Sequence, residues 1–129
     1  MQQRILIVDD EEFFLQGFAR SLQNGTTDVH TADTAQAALA ELSILHYNLC
    51  FLDLCLPDIG GVDILKKIGE ISPQTKVIVM TAGVITSKQQ ENIERNAYLF
   101  ITKPFDLLHI KMLTRRILEE NSQKHVLSS

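Results

Sequence analysis

Residues 49–61 read LCFLDLCLPDIGG. An unbroken apolar run, Leu49-Cys50-Phe51-Leu52, stops at a carboxylate, Asp53, and the chain then passes Pro57 to reach Gly60 and Gly61. A continuous run closed by turn residues fits a strand covered on both faces, as in a parallel sheet. Burying a lone charge at the end of such a strand is expensive unless the charge is paired or binds a metal. Asp53 is therefore either a turn residue or a residue kept for chemistry, and the rest of the chain decides between these.

Four more short apolar segments accompany this one: Arg4–Val8, Asp28–Thr31, Lys76–Met80 and Tyr98–Thr102. The runs ILIV and VIVM are continuous like LCFL, whereas DVHT is mixed and is expected at a sheet edge. Helical spacing fills the gaps. Phe14, Phe18 and Leu22 recur every four residues. Ala35, Ala38, Leu39, Leu42 and Leu45 form a second stripe, with Asp33 and Gln36 placed as a capping pair. Ile64, Leu65, Ile68 and Ile71 form a third, closed by Pro73. The fourth gap, SKQQENIERNA, has Ile93 as its only large apolar residue and reads as a weakly packed, mobile helix. Asp106 is placed to cap a last helix running to about Asn121, with Leu107, Ile110, Leu113, Ile117 and Leu118 facing the sheet. The order βαβαβαβαβα predicts a doubly wound α/β fold with a five-stranded parallel sheet and five helices.

The totals narrow the class. A chain of 129 residues suits one domain with a single core, expected over about 3–121 with a polar tail at 122–129. A net charge of −4 argues against direct nucleic-acid binding, which needs a basic surface. The apolar runs are too short to span a bilayer. The opening MQQRILIVDDEE turns acidic where a secretory leader needs small residues, so a cytoplasmic protein is expected. Cys50 and Cys55 have neither CxxC nor metal-site spacing, and Cys50 reads as a small core residue. No phosphate-binding glycine loop follows a strand. The histidines at 30, 46, 109 and 125 are scattered and read as surface or rim residues.

In open α/β sheets ligands bind at the carboxyl ends of the strands. Here the first strand is followed by Asp9-Asp10, the third by Asp53, the fourth by Thr81-Ala82 and the fifth by Lys103-Pro104. Taken singly, each has an ordinary reading: a strand-end Asp is usually a turn residue, an acidic pair opening a helix a dipole device, a Lys-Pro pair a turn. Their conjunction on one side of the sheet is what points to a site. If the first and third strands are neighbours, three carboxylates meet a hydroxyl and an ammonium. Such carboxylates repel one another and invite a hard divalent cation, and a site with few protein ligands suits Mg²⁺. Asp10 and Asp53 are the expected direct ligands, Asp9 one acting through water, and the backbone carbonyl of Cys55 a further ligand. Carboxylate, metal, lysine and hydroxyl together form a template for phosphoryl transfer with Asp53 as nucleophile.

At these residues the chain resembles the receiver domain of two-component response regulators, similar to the chemotaxis-type receiver. ILIVDDEEFF resembles the family's acidic opening, and FLDLCLPDIGG its phosphoacceptor segment, with Pro57 and Gly61 four and eight places after Asp53. VIVMTAG and YLFITKPF resemble its fourth and fifth strands. The resemblance covers almost the whole chain and implies a flavodoxin-like strand order, 2-1-3-4-5. It further implies that Asp53 takes a phosphoryl group from a histidine kinase or phosphotransfer protein. Asp9 and Asp10 match the metal pair, Thr81 and Lys103 the groups that bind the phosphoryl, and Phe100 the switch aromatic. Phe100 lacks the hydroxyl of a tyrosine, so a switch here rests on packing. Asn96-Ala97 stands where many members carry Gly-Ala.

The expected function is phosphorelay signalling without metabolite turnover. The switch would act on the surface around the fifth strand and its flanking helices. Leu108 and Met112, off the buried arc of the last helix, offer with the fourth helix and fifth strand a surface for a homodimer or effector. Two alternatives stand beside this: a degenerate receiver that only binds partners, and a Mg²⁺-dependent phosphatase. A haloacid-dehalogenase-type phosphatase wants a second Asp two places after its nucleophile, where this chain has Cys55.

Overall fold

The structure, a computed structural model, describes residues 2–83, 85–103 and 105–128, the last eight by backbone course alone. Pro104, read above as part of the fifth-strand motif, and the side chain of His125 lie outside the described residues. The strands are β1 (Gln3–Val8), β2 (Thr27–Ala32), β3 (Leu49–Asp53), β4 (Lys76–Thr81) and β5 (Leu99–Thr102). The helices are α1 (Glu12–Leu22), α2 (Ala35–Ile44), α3 (Gly61–Ile71), α4 (Ser87–Asn96) and α5 (Leu107–Ser128). All strand pairs are parallel, in the order β2-β1-β3-β4-β5, with the mixed strand β2 at an edge.

The unbroken apolar runs supply both faces of the sheet because successive side chains point to opposite sides. Leu6, Val8, Cys50, Leu52, Val77 and Val79 pack on one face with Ala35, Ala38 and Leu42 of α2, Ile64, Leu65 and Ile68 of α3, and Ile93 of α4. Ile5, Ile7, Leu49, Phe51, Ile78 and Met80 pack on the other with Leu15, Phe18 and Leu22 of α1 and Ile110, Ile117 and Leu118 of α5. Cys50 is buried as expected, and burial pushes its thiol up to about 12.

Several boundaries differ from the sequence reading, each for a local reason. The cap of α2 is Thr34, whose hydroxyl accepts from the Ala37 N–H at 3.1 Å, so Asp33 lies one residue outside the expected capping pair. Its first turn is completed across the chain: both carboxylate oxygens of Asp58 accept, each at 2.9 Å, from the N–H groups of Ala35 and Gln36. These bonds hold the Asp58 carboxyl below the usual range. On α4 a reciprocal capping box joins Thr86 and Gln89, with Ile93 as the buried anchor. Asp106 caps α5 as expected, its carboxylate accepting from the Leu108 N–H at 2.9 Å. That helix runs past Asn121 to Ser128 because SQKHVLS holds no glycine or proline to stop it. Leu107 and Ile71 are not buried in the core: at 41% and 43% exposed they are the first residue of α5 and the last of α3.

Gly61 opens α3 against the loop after β3. A Cβ there would stand 2.7 Å from Leu54 Cδ2 and 2.9 Å from the Leu54 carbonyl oxygen, a space only hydrogen fits. The loop that follows Asp53 is thus held by α3 at Gly61 and tied to α2 through Asp58.

Candidate functional site at the carboxyl edge of the sheet

The register brings the strand-end residues together. Val8 pairs with Leu52 across β1 and β3, so Asp9 and Asp53, each one residue further on, are neighbours. Asp53 pairs with Met80 of β4, which sets Thr81 one step beyond. Thr81 pairs with Thr102, and Lys103 follows, its N–H donating to the Thr81 carbonyl at 2.7 Å. A carboxylate oxygen from each of Asp9, Asp10 and Asp53 lies within 4.8 Å of the others, with Asp9 and Asp53 buried and Asp10 exposed.

Backbone donors fix the two buried carboxylates in the same way. Asp9 Oδ1 accepts from the Glu11 N–H at 2.9 Å, and Asp53 Oδ1 from the Cys55 N–H at 3.0 Å. The second oxygen of each turns toward one ammonium. Lys103 Nζ donates to Asp9 Oδ2 and stands 3.6 Å from Asp53 Oδ2, with Glu11 Oε1 further out at 3.9 Å. Burial pushes the Asp53 carboxyl above its ordinary range, opposed by the Cys55 N–H and Lys103 and reinforced by the charges of Asp9 and Asp10. Burial alone would pull Lys103 down, but the bond to Asp9 and the charges of Asp53, Asp9 and Glu11 outweigh it and raise its pKa.

Each residue singled out from the sequence has a defined place. Asp9, Asp10, Asp53 and Lys103 form one cluster. Thr81 is buried at the end of β4, its hydroxyl donating to the Gly83 carbonyl at 3.3 Å. Cys55 sits on the loop beyond Asp53 with its thiol exposed. Phe100 lies on β5, paired with Val79 and 40% exposed. The sequence reading missed Glu11 and Phe14 as neighbours of Lys103. The spacing that assigns Phe14 to the core carries no signal for that contact. It also left His30 at the rim unpartnered, whereas its Nε2 pairs with Asp28 Oδ2 at 2.7 Å. Beside Lys103, Phe13, Phe14, Gly17, Phe105 and Leu107 line a cleft of about 590 Å³ between α1 and the start of α5.

The donor set fits a hard cation. All three groups are carboxylates, two are buried, and the Asp53 pKa is raised chiefly by burial, with the charges of Asp9 and Asp10 adding to it, a penalty that a bound cation would relieve. Known proteins carry the same arrangement of elements. Residues 5–117 match the family model described as the response regulator receiver domain. The chain is 31% identical over 130 residues to the regulatory protein AtoC of Escherichia coli K12, covering 94% of this chain and 26% of that protein. It is 32% identical over 124 residues to the response regulator ArlR of Staphylococcus aureus, covering 96% of this chain and 56% of that protein. Among solved structures, a CheY-like receiver domain from Methanospirillum hungatei JF-1 superposes with a TM-score of 0.84 at 27% identity, covering 95% of this chain and 99% of that one. The fold and its acidic edge define a signalling domain of the phosphorelay class. The chain belongs to the response regulator receiver domain family of two-component systems. It spans 26% to 56% of the length of the two curated relatives compared.

Proposed function

We propose that Asp53 accepts a phosphoryl group from the phosphohistidine of a histidine kinase or phosphotransfer protein in the cytoplasm. The observation that carries this is the pinning of Asp53: Oδ1 is held by the Cys55 N–H at 3.0 Å, while Oδ2 faces Lys103 at 3.6 Å. An Asp53 oxygen attacks phosphorus, the phosphorus–nitrogen bond breaks, and its electron pair returns to the imidazole. Lys103 and Thr81 bind oxygens of the transferred group, so positioning and charge neutralisation do most of the work. Asp10 and Asp53, with Asp9 through a water and the Cys55 carbonyl, would hold Mg²⁺, which when bound supplies positive charge to the phosphoryl oxygens.

Phosphorylation adds negative charge and acceptor oxygens at Asp53. Thr81 turns toward the new acceptor, and the space it leaves is taken by Phe100, now 40% exposed on β5. The surface of α4, β5 and α5 thereby has two states. Leu108 and Met112, 65% and 61% exposed, give that surface apolar contacts for a second copy or an effector. The donor approaches over the cleft beside Lys103, where Phe13, 98% exposed, provides an apolar footing.

Intact mass after incubation with a small acyl phosphate and Mg²⁺ tests the reading. A stable gain of one phosphoryl in the wild type, absent in Asp53→Asn, is the expected result. No gain in either protein would favour a partner-binding module that is never phosphorylated. Catalytic phosphate release from varied esters would favour a phosphatase, although Cys55 occupies the position where such an enzyme wants a second acid.

A further inference from the structure

Lys103 has one neighbour that its ion pairs do not explain. Its Nζ lies over the ring of Phe14, 4.4 Å from the centroid. The ring is itself held: Phe18 lies 5.5 Å away, centroid to centroid, and Phe105 meets it near edge-on at 5.7 Å and 79°. Packing therefore presents a ring face, the electron-rich surface of the quadrupole, to the ammonium. The carboxylate on the outer side, Glu11, is 3.9 Å from Nζ, and its side chain is 71% exposed. Lysine is long, and holding it costs rotamer entropy. Without the ring, the ammonium, still bonded to Asp9, gains freedom to turn toward Glu11 and away from Asp53.

We infer that Phe14 is a positioning residue for phosphoryl transfer, its ring face holding the Lys103 ammonium beside Asp53. This rests on the phosphoacceptor role proposed for Asp53. Phe14 acts through Lys103, which keeps its proton and meets the incoming oxygens already oriented.

Progressive fluorination of the ring tests the role, since each fluorine weakens the quadrupole while the ring's shape is nearly kept. Proteins carrying mono-, di- and trifluorophenylalanine at position 14 are compared with wild type and Phe14→Leu, at saturating Mg²⁺, for the rate of phosphorylation by a small acyl phosphate. The expected result is a stepwise fall with fluorine count, reaching roughly three- to tenfold in Phe14→Leu. In the wild type the Lys103 ε-methylene protons should also show an upfield ring-current shift by NMR, lost in Phe14→Leu. A flat fluorine series with phosphorylation intact overturns this role alone, even if Phe14→Leu is slow, because packing would then suffice. A missing ring-current shift overturns it without reference to phosphorylation. Absence of phosphoryl uptake by the wild type overturns the acceptor reading and this role together.

Discussion

Lys103 Nζ stands 3.6 Å from Asp53 Oδ2, near enough for attraction but beyond a hydrogen bond, because its closer partner is Asp9 Oδ2. The ammonium thus balances one buried carboxylate and only partly balances the other. That imbalance, with the exposed Asp10 nearby, is what leaves the site receptive to a further cation.

Replacing Lys103 with methionine should therefore tighten Mg²⁺ binding while destabilising the metal-free protein. The Lys103 side chain is 13% exposed and Asp9 is fully buried, so losing the ammonium leaves a buried charge without its partner, a cost of roughly 3 kcal/mol. Calorimetric titration of Mg²⁺ should give a lower Kd than in the wild type, and urea unfolding with chelator a lower midpoint. Weaker Mg²⁺ binding in the variant would show that lysine and metal do not share one pool of negative charge.

The raised pKa of Asp53 makes a pH-dependent prediction for the metal-free protein. A carboxyl whose folded pKa exceeds its unfolded value binds more protons in the folded state, so its stabilisation is full below the unfolded pKa, is lost as pH rises toward the folded pKa, and the penalty is complete above it. Asp53→Asn removes the penalty. Without divalent ions its melting temperature should exceed that of the wild type by a few degrees at pH 7. The gap should narrow as pH falls through the folded pKa toward the ordinary carboxylate range. Equal melting temperatures at pH 7, or a gap that widens on acidification, would contradict the electrostatic account.

Much of this site is legible in the sequence because its residues follow apolar runs whose parallel pairing is nearly forced. Once LCFL and ILIV are adjacent strands, Asp9 and Asp53 must meet, and Lys103 follows from the last strand in the same way. What the sequence hides depends on three-dimensional contact rather than on period. Asp58 caps a helix more than twenty residues earlier in the chain, and no spacing announces that bond. Thr114 sits buried on the inner arc of α5 because its hydroxyl donates to the Ile110 carbonyl at 2.7 Å, so a pattern of apolar residues passes over it. Phe14 fits the core stripe and also faces the lysine, and only the first of these is periodic.

Gly61 ties stability to the loop that follows Asp53. In Gly61→Ala the new methyl would come within 2.9 Å of the Leu54 carbonyl oxygen, a backbone atom that cannot swing aside as a side chain does. The strain should cost about 1–3 kcal/mol in urea unfolding. Because Leu54 adjoins both Asp53 and Cys55, Mg²⁺ affinity should fall as well. A variant with unchanged unfolding midpoint and unchanged Mg²⁺ titration would show that α3 can move off the loop freely.

The proposed switch predicts where change travels. Thr81 ends β4 and pairs with Thr102, two residues beyond Phe100, so a turn of its side chain reaches β5 through adjacent backbone rather than through distant loops. Amide NMR spectra of wild type with and without phosphorylation should therefore differ across residues 81–105, with the ring signals of Phe100 moving from an exposed to a buried environment. In Thr81→Ala phosphorylation should still occur but the Phe100 shift should shrink, since the hydroxyl that follows the phosphoryl is gone. Phe100→Ala should accept the phosphoryl group while losing the change on α4 and α5. Superimposable spectra over that segment in the phosphorylated and unphosphorylated wild type would separate the acceptor from any switch, because charge would then be added at Asp53 without displacing the strand beside it.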